Sequence, residues 1–216
     1  MIVYTAPLWV AQTNCYVVAA EEGGAAVVVD APPDPDAVGR MIEQVGVTPV
    51  ALLVTHGHVD HVGGARRVAE RWAVSAFLHP DDEWLAADPA SQLRGLFGFL
   101  PEGDYEPPER FDHLDDGMTL DLAGLGVEVL HTPGHTPGHC CFRVASEGVL
   151  FSGDLLFAGS VGRTDLPGGD TATLLRSLAD RVVPLPEDTE VFPGHGPATT
   201  LARELQFNPF LQSLPT

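Results

Sequence analysis

The chain has 216 residues, of which 44% are hydrophobic and 19% are charged, and its formal net charge is −19. This composition excludes a disordered chain and predicts one domain, residues 1–216, with a large buried core. Thirty acidic residues against eleven basic ones, all arginine, would repel a phosphate backbone, so we expect no nucleic-acid partner. The sequence lacks a run of 18 apolar residues and a basic, apolar leader, which predicts a cytoplasmic protein with no membrane contact.

The N-terminal half is predicted to alternate between strands and helices. Strands are expected at 2–5, 14–20, 25–30, 50–54 and 76–79, because these stretches are short and rich in β-branched residues. The first three form a meander. Asp34 is expected to cap a helix that has Pro35 at its first position and ends at Gly46. A second amphipathic helix is expected from about 64 to 73.

Residues 80–113 are less regular, because five prolines interrupt short helical stretches at 81–87 and 91–99. The apolar side chains of Leu96, Phe97, Phe99 and Leu100 either pack into the core, which we favour, or line the mouth of a substrate site.

The C-terminal half predicts a second cluster of strands, at 118–122, 127–131, 139–144 and 149–152. A helix opened by Asp170, a last strand at 190–192 and a C-terminal helix at 200–207 complete the chain. Two strand clusters, each followed by helices, predict an α/β (α+β) fold. We expect an αββα sandwich, with two mixed β-sheets face to face and helices on the outer faces.

Cys15, Cys140 and Cys141 form no CxxC pair, and two of the three are adjacent. A disulfide framework is therefore not expected. Buried free thiols in a reducing compartment fit this pattern.

The stretch Thr55-His56-Gly57-His58-Val59-Asp60-His61 follows the predicted strand at 50–54. Its imidazoles and carboxylate suit Zn²⁺ or another first-row divalent metal. His56 and His58 are two residues apart on nearly extended chain, so both can face one metal, whereas Asp60 and His61 can face a second. A solvated histidine-rich loop is the alternative. It is disfavoured because four such groups packed together without a metal would repel one another or stay unpaired.

Three later segments each present one more candidate ligand at a strand end, where a rigid scaffold delivers residues to a site. His135 lies in a loop fixed by prolines and glycines, and its neighbours His131 and His139 are expected to close hydrogen bonds instead. Asp154 follows a strand and Gly153, so its two oxygens can bridge two metals. His195 lies between two glycines after the last predicted strand.

In their order and spacing these motifs resemble the metallo-β-lactamase superfamily, and the likeness spans almost the whole chain. The resemblance implies two divalent metal ions, Zn²⁺ in the first place with Fe or Mn as alternatives. It implies seven ligands, namely His56, His58 and His135 for the first metal, Asp60, His61 and His195 for the second, and Asp154 bridging both. Asp60 and Asp154 are thereby also expected to be catalytic.

Within the superfamily, the segment Gly162-Arg163-Thr164-Asp165-Leu166-Pro167-Gly168-Gly169-Asp170, together with Asn14-Cys15-Tyr16 and Asn208-Pro209-Phe210-Leu211, is similar to short glyoxalase-II-like hydrolases. This similarity implies hydrolysis of a small-molecule acyl-thioester such as a hydroxyacylglutathione, with Arg163 and Asn14 contacting substrate. Arg163 can equally pair with Asp165 or Asp170. Weak recognition of glutathione is expected, because glyoxalase II uses lysine and a further helical domain that these 216 residues do not contain.

Two alternatives remain. The motifs HTPGHTPG and GRTD are also similar to persulfide dioxygenases, which use one iron. In those enzymes the last histidine typically lies in Pro-Ala-His-Asp, and the Pro-Gly-His-Gly of this chain favours the hydrolase. A non-catalytic protein that senses a metal or ligand is the alternative of another class, although sensing needs fewer ligands. The patterns leave the physiological substrate and the oligomeric state open.

Overall fold

Two β-sheets of six strands each pack face to face in the part of the chain that is described, and helices cover their outer surfaces. The computed structural model describes residues 1–214, and for residues 95–97 it describes the backbone without the side chains. Both sheets mix parallel and antiparallel pairs. The predicted αββα sandwich is therefore confirmed.

The first sheet comes from the N-terminal half. It contains, in spatial order, β1 (Ile2–Leu8), β2 (Thr13–Ala19), β3 (Ala25–Val29), β4 (Thr48–Leu53), β5 (Ser75–Leu78) and β6 (Asp112–His113). The first three strands are antiparallel, as the predicted meander requires, and the next three run parallel to β3.

The second sheet comes from the C-terminal half. It contains, in spatial order, β14 (Thr199–Thr200), β13 (Glu190–Pro193), β10 (Val149–Gly153), β9 (Cys140–Val144), β8 (Leu125–His131) and β7 (Thr119–Leu122). A separate hairpin pairs β11 (Leu156–Phe157) with β12 (Ser160–Val161). The prediction that 190–192 is the last strand is wrong, because β14 follows it. A two-residue strand is too short to show a period.

The helices are α1 (Pro35–Val45), α2 (Val59–Val62), α3 (Ala65–Trp72), α4 (Glu83–Ala86), α5 (Pro89–Phe97), α6 (Thr171–Ser177), α7 (Leu201–Phe207) and α8 (Pro209–Gln212). Asp34 accepts a hydrogen bond from the backbone of Ala37, and Gly46 ends α1 in the left-handed conformation, both as predicted. A π-helical turn, Leu178–Val182, extends α6. None of the described helices is long and apolar enough to cross a bilayer.

Three apolar layers hold this arrangement together. Phe142 and Phe151 are buried between the sheets, and Tyr16 packs edge-on against Phe151 with ring centroids 5.2 Å apart. Ile42 of α1 belongs to the layer outside the first sheet, and Leu174 of α6 belongs to the layer outside the second. The three cysteines are free and buried within these layers, as predicted.

The prediction that the apolar residues at the end of α5 pack into the core is wrong for Phe99 and Leu100. These two residues are 62% and 40% exposed. The helix ends at Gly98 in the left-handed conformation, so these two residues no longer continue the face on which Leu93 is buried. The same prediction for Leu96 and Phe97 concerns side chains outside the described part of the chain.

The candidate segments follow the ends of β4 in the first sheet and of β8, β10 and β13 in the second. At this edge the backbone N–H of Asn14 in β2 donates to the carbonyl of Gly194, 2.8 Å away. Thr13 and His195 form an isolated antiparallel bridge. The two sheets are thereby joined directly beside the candidate site.

Phe142→Ala is expected to lower the free energy of unfolding by about 3–5 kcal/mol, because it leaves a cavity between the sheets where repacking is limited. Phe207→Ala is the matched control, since Phe207 is 63% exposed on α7. Denaturant unfolding of both variants measures the difference. Equal losses in the two variants would contradict the assigned inter-sheet core.

Candidate metal centre

Three imidazoles form a first cluster. His56 and His58 follow β4, and His135 lies in the loop between β8 and β9. His58 Nδ1 lies 2.8 Å from His135 Nε2 and 3.1 Å from His56 Nε2, and the two Nε2 atoms are 3.2 Å apart. Ligands of a tetrahedral zinc at 2.0–2.1 Å would be about 3.3 Å apart, so this triangle is close to the size a metal needs.

Burial and the neighbouring imidazoles keep His56 and His58 neutral. Burial, with the nearby imidazole of His61 next in importance, holds the pKa of His56 well below its usual value. Burial and His135 lower the pKa of His58 to about 3. Neutral rings have the free lone pairs that metal binding requires, because a protonated imidazole cannot be a ligand.

A second cluster contains Asp60, His61 and His195. Asp60 Oδ2 lies 3.5 Å from His61 Nε2 and 3.1 Å from His195 Nε2, and it accepts a hydrogen bond of 2.9 Å from the hydroxyl of Thr13. Burial lowers the pKa of His61, but the carboxylates of Asp60 and Asp154 outweigh it and hold this pKa well above the usual value. The second cluster therefore favours a positive charge at its centre.

Asp154 lies between the two clusters. Its Oδ1 is 3.4 Å from His61 Nε2, and its Oδ2 is 3.5 Å from His135 Nε2 and 3.6 Å from His195 Nε2. Among the described residues, His61 Nε2 and Asp154 Oδ1 are buried polar atoms without a hydrogen-bond partner. Such atoms are rare and costly. A cation between them would satisfy both, so the donor set fits divalent metals that accept imidazole and carboxylate ligands.

Asp30 supports both clusters, and sequence reasoning missed it. Its Oδ2 lies 2.8 Å from His61 Nδ1, and it accepts bonds from the backbone and hydroxyl of Thr55. That hydroxyl in turn lies 3.0 Å from His56 Nδ1. Asp30 has a φ of +60°, an unusual conformation that directs the chain into the site. Its position directly after a strand, like that of Asp154, was a signal that could have identified it.

Asp82 ties the first two ligand loops together. The carboxylate accepts hydrogen bonds from the backbone N–H groups of Gly57 and Gly138, at 2.8 and 2.6 Å, and from the hydroxyl of Thr136 at 2.6 Å. A Cβ on Gly57 or Gly138 would lie 2.7 Å from backbone atoms of Asp82, so both positions require glycine. Sequence reasoning missed Asp82 because no local pattern connects it to residues so distant along the chain.

The other two histidines of the HTPGHTPGH segment close hydrogen bonds, as predicted. His139 Nε2 accepts from the backbone N–H of Asp154 at 3.0 Å, and its Nδ1 lies 2.9 Å from the hydroxyl of Thr132. His131 Nε2 donates to the carbonyl of Pro137 at 2.8 Å. His139 therefore fixes the backbone from which the central carboxylate projects.

The two predicted substrate contacts lie beside the clusters. Arg163 accepts a hydrogen bond from His135 Nδ1 at its carbonyl, and its exposed guanidinium makes two bonds of 2.7 Å to Asp165. Of the predicted alternatives for this side chain, the pairing with Asp165 is thus present. Asn14 is buried, and its amide donates to the carbonyls of Pro193 and Gly196, which positions the loop that carries His195. Substrate contact by either residue remains a prediction.

An αββα sandwich with two histidine and aspartate clusters at one edge defines a metal-binding protein of the metallohydrolase type. The chain belongs to the metallo-beta-lactamase superfamily, whose family model matches residues 8–195. It is 36% identical to the hydroxyacylglutathione hydrolase GloC of Haemophilus influenzae, over 96% of both chains.

Two solved structures are similar over nearly the whole fold. The di-iron-bound form of TTHA1623 is 41% identical and superposes with a TM-score of 0.87, over 97% of this chain and 100% of that one. The B3 metallo-beta-lactamase BLEG-1 is 37% identical with a TM-score of 0.88, over 98% and 100%. Of these two similar proteins, TTHA1623 holds two metal ions.

Asp154→Ala is expected to reduce binding at both metal positions, because its oxygens lie against ligands of each cluster. His195→Ala is expected to weaken the second position and leave the first. Metal analysis after reconstitution and dialysis measures both variants against the wild type. Equal metal loss in the two variants would contradict a bridging position for Asp154.

Asp82→Asn is expected to weaken metal binding about 10- to 100-fold, because an amide nitrogen in place of one oxygen would oppose an N–H or O–H donor. Asp188→Asn is the matched control, since Asp188 is an exposed carboxylate outside both clusters. Competition titration with a chromogenic chelator measures the affinity of each variant. Unchanged affinity in Asp82→Asn would show that the loops hold their geometry without this carboxylate.

Proposed function

We propose that the protein is a binuclear metal-dependent hydrolase of acyl-thioesters. The observation that carries this proposal is the position of Asp154, whose oxygens lie against His61 and His195 on one side and His135 on the other. Under this proposal, His56, His58 and His135 would hold the first metal, Asp60, His61 and His195 would hold the second, and Asp154 would contribute to both.

The residues present are suited to hold these ions and to position a substrate. When bound, two divalent ions would lower the pKa of water toward neutrality and polarise a substrate carbonyl. Asp30 and Asp82 keep the ligand loops in place, so little reorganisation is needed during reaction. Thr13 holds Asp60 Oδ2 toward the centre. A thiolate is a good leaving group, so hydrolysis of a thioester needs no strong general acid.

The proposed substrate class is supported by the similarity to GloC, which is a hydroxyacylglutathione hydrolase, and by the motifs shared with short glyoxalase-II-like hydrolases. Zinc is proposed first from the ligand chemistry, and iron is supported by the di-iron form of TTHA1623. BLEG-1 is a B3 metallo-beta-lactamase, so a β-lactam belongs in the substrate panel. Hydrolysis of a thioester and hydrolysis of a β-lactam both transfer an acyl group to water.

The test is steady-state kinetics of the metal-replete protein on S-lactoylglutathione, a β-lactam and glutathione persulfide. Thioester cleavage that is lost on chelation and restored by metal is the expected result. Oxygen consumption on the persulfide with iron, without thioester cleavage, would favour a persulfide dioxygenase instead. Stoichiometric metal binding with no turnover of any substrate would favour a sensing protein.

Arg163→Ala is expected to raise KM for S-lactoylglutathione about tenfold with kcat largely preserved, because a lost contact to a distant carboxylate weakens ground and transition states equally. The backbone carbonyl that accepts from His135 survives this substitution, so metal content should not change. Arg66→Ala is the control for charge, since Arg66 pairs with Glu70 on α3. An unchanged KM in Arg163→Ala would mean that the guanidinium serves only Asp165.

A further inference from the structure

A cleft of about 420 Å³ adjoins the first cluster, and His58 forms part of its wall. The other side chains that line it are those of Trp84, Leu85, Ser91, Gln92, Leu166 and Pro167. Its volume is within the range of small-molecule sites, about 300–1,000 Å³. Apart from the His58 imidazole, none of these lining side chains can carry a charge.

The amide and hydroxyl side chains of this cleft are already engaged. The Gln92 amide donates to the carbonyls of Gly57 and Leu85 and accepts from the backbone N–H of Val59, with distances of 2.9–3.0 Å. The Ser91 hydroxyl donates to the carbonyl of Asp88 at 2.8 Å. The surface left for a ligand is therefore mainly that of Trp84, Leu166 and Pro167, and Trp84 is 54% exposed.

The opposite end of the centre differs in exposure. The His195 side chain is 30% exposed, whereas His58 is buried beside the cleft. A departing thiolate is more stable in water than against Trp84 and Leu166, because burying a charge without a partner is costly. An apolar acyl chain has the opposite preference, since its burial is favourable.

We infer that this cleft holds an apolar, uncharged acyl group, and that the leaving thiol departs on the His195 side. This inference rests on the proposed function and names the part of the thioester that the protein selects. Leu166 and Trp84 are then specificity-determining residues. Under this inference the thiol part of the substrate lies outside the cleft.

The first experiment measures kcat/KM of the metal-replete full chain on acetyl, butyryl and hexanoyl thioesters of N-acetylcysteamine, an uncharged thiol. A gain of about fourfold per added methylene is expected until the cleft is filled. The same acyl series on glutathione should rise in parallel, because the acyl part is unchanged. Turnover that is independent of acyl length would overturn the inference and leave the proposed function standing.

Leu166→Asp should bring the ratio of hexanoyl to acetyl kcat/KM close to unity, because it places a carboxylate in the cleft. This ratio does not depend on the amount of folded protein. Phe207→Asp is the matched control, since it adds the same charge at an exposed position of α7 and should keep the wild-type ratio. A wild-type ratio in Leu166→Asp would contradict the assigned cleft.

A binding measurement separates the inference from the proposed function. The uncharged dye N-phenyl-1-naphthylamine should fluoresce on binding the wild type, be displaced by hexanamide but not acetamide, and bind weakly to Leu166→Asp. If no thioester is hydrolysed, the proposed function fails, and displacement by hexanamide still decides what the cleft accepts. Absence of dye binding, or equal displacement by both amides, would overturn the apolar assignment.

Discussion

The confinement of buried carboxylates and imidazoles to one edge of the sandwich is the constraint on which the rest of this structure depends. Asp30 and Asp154 are almost fully buried, and the ring of His61 lies between them. Such groups are stable away from water only when each has a partner. Asp30 accepts from Thr55, Asp82 accepts from Gly57 and Gly138, and His61 Nε2 and Asp154 Oδ1 are left for a cation.

The apolar layers position the strands, and the polar edge carries the candidate ligands. Large side chains such as Phe142 and Phe151 fix the separation of the sheets, and the strand ends then present the ligands from a rigid frame. Glycine is needed where ligand loops touch. At Gly194, for instance, a Cβ would lie 2.2 Å from Asp154 Oδ1. The site is thus shaped by close backbone approach as much as by the ligands themselves.

The sandwich and the seven candidate ligands could be predicted because both leave local signals, namely alternating elements and polar residues that follow strands. The role of Asp82 could not be predicted, because its three hydrogen-bond donors come from Gly57, Thr136 and Gly138. Only the folded chain brings these residues together. The exposure of Phe99 was missed because its local sequence signal was misleading. Its apolar character favoured burial, but the turn at Gly98 removed it from the helix face.

The bonds from Asn14 to Pro193 and Gly196 join residues 179 and 182 positions apart in the chain. During synthesis from the N-terminus, His56 and His58 therefore emerge well before the loop that β2 must hold. Contacts of such long sequence separation form late, because the loop closure they require is costly in entropy. The second cluster is consequently completed only when the loop that carries His195 has docked onto β2.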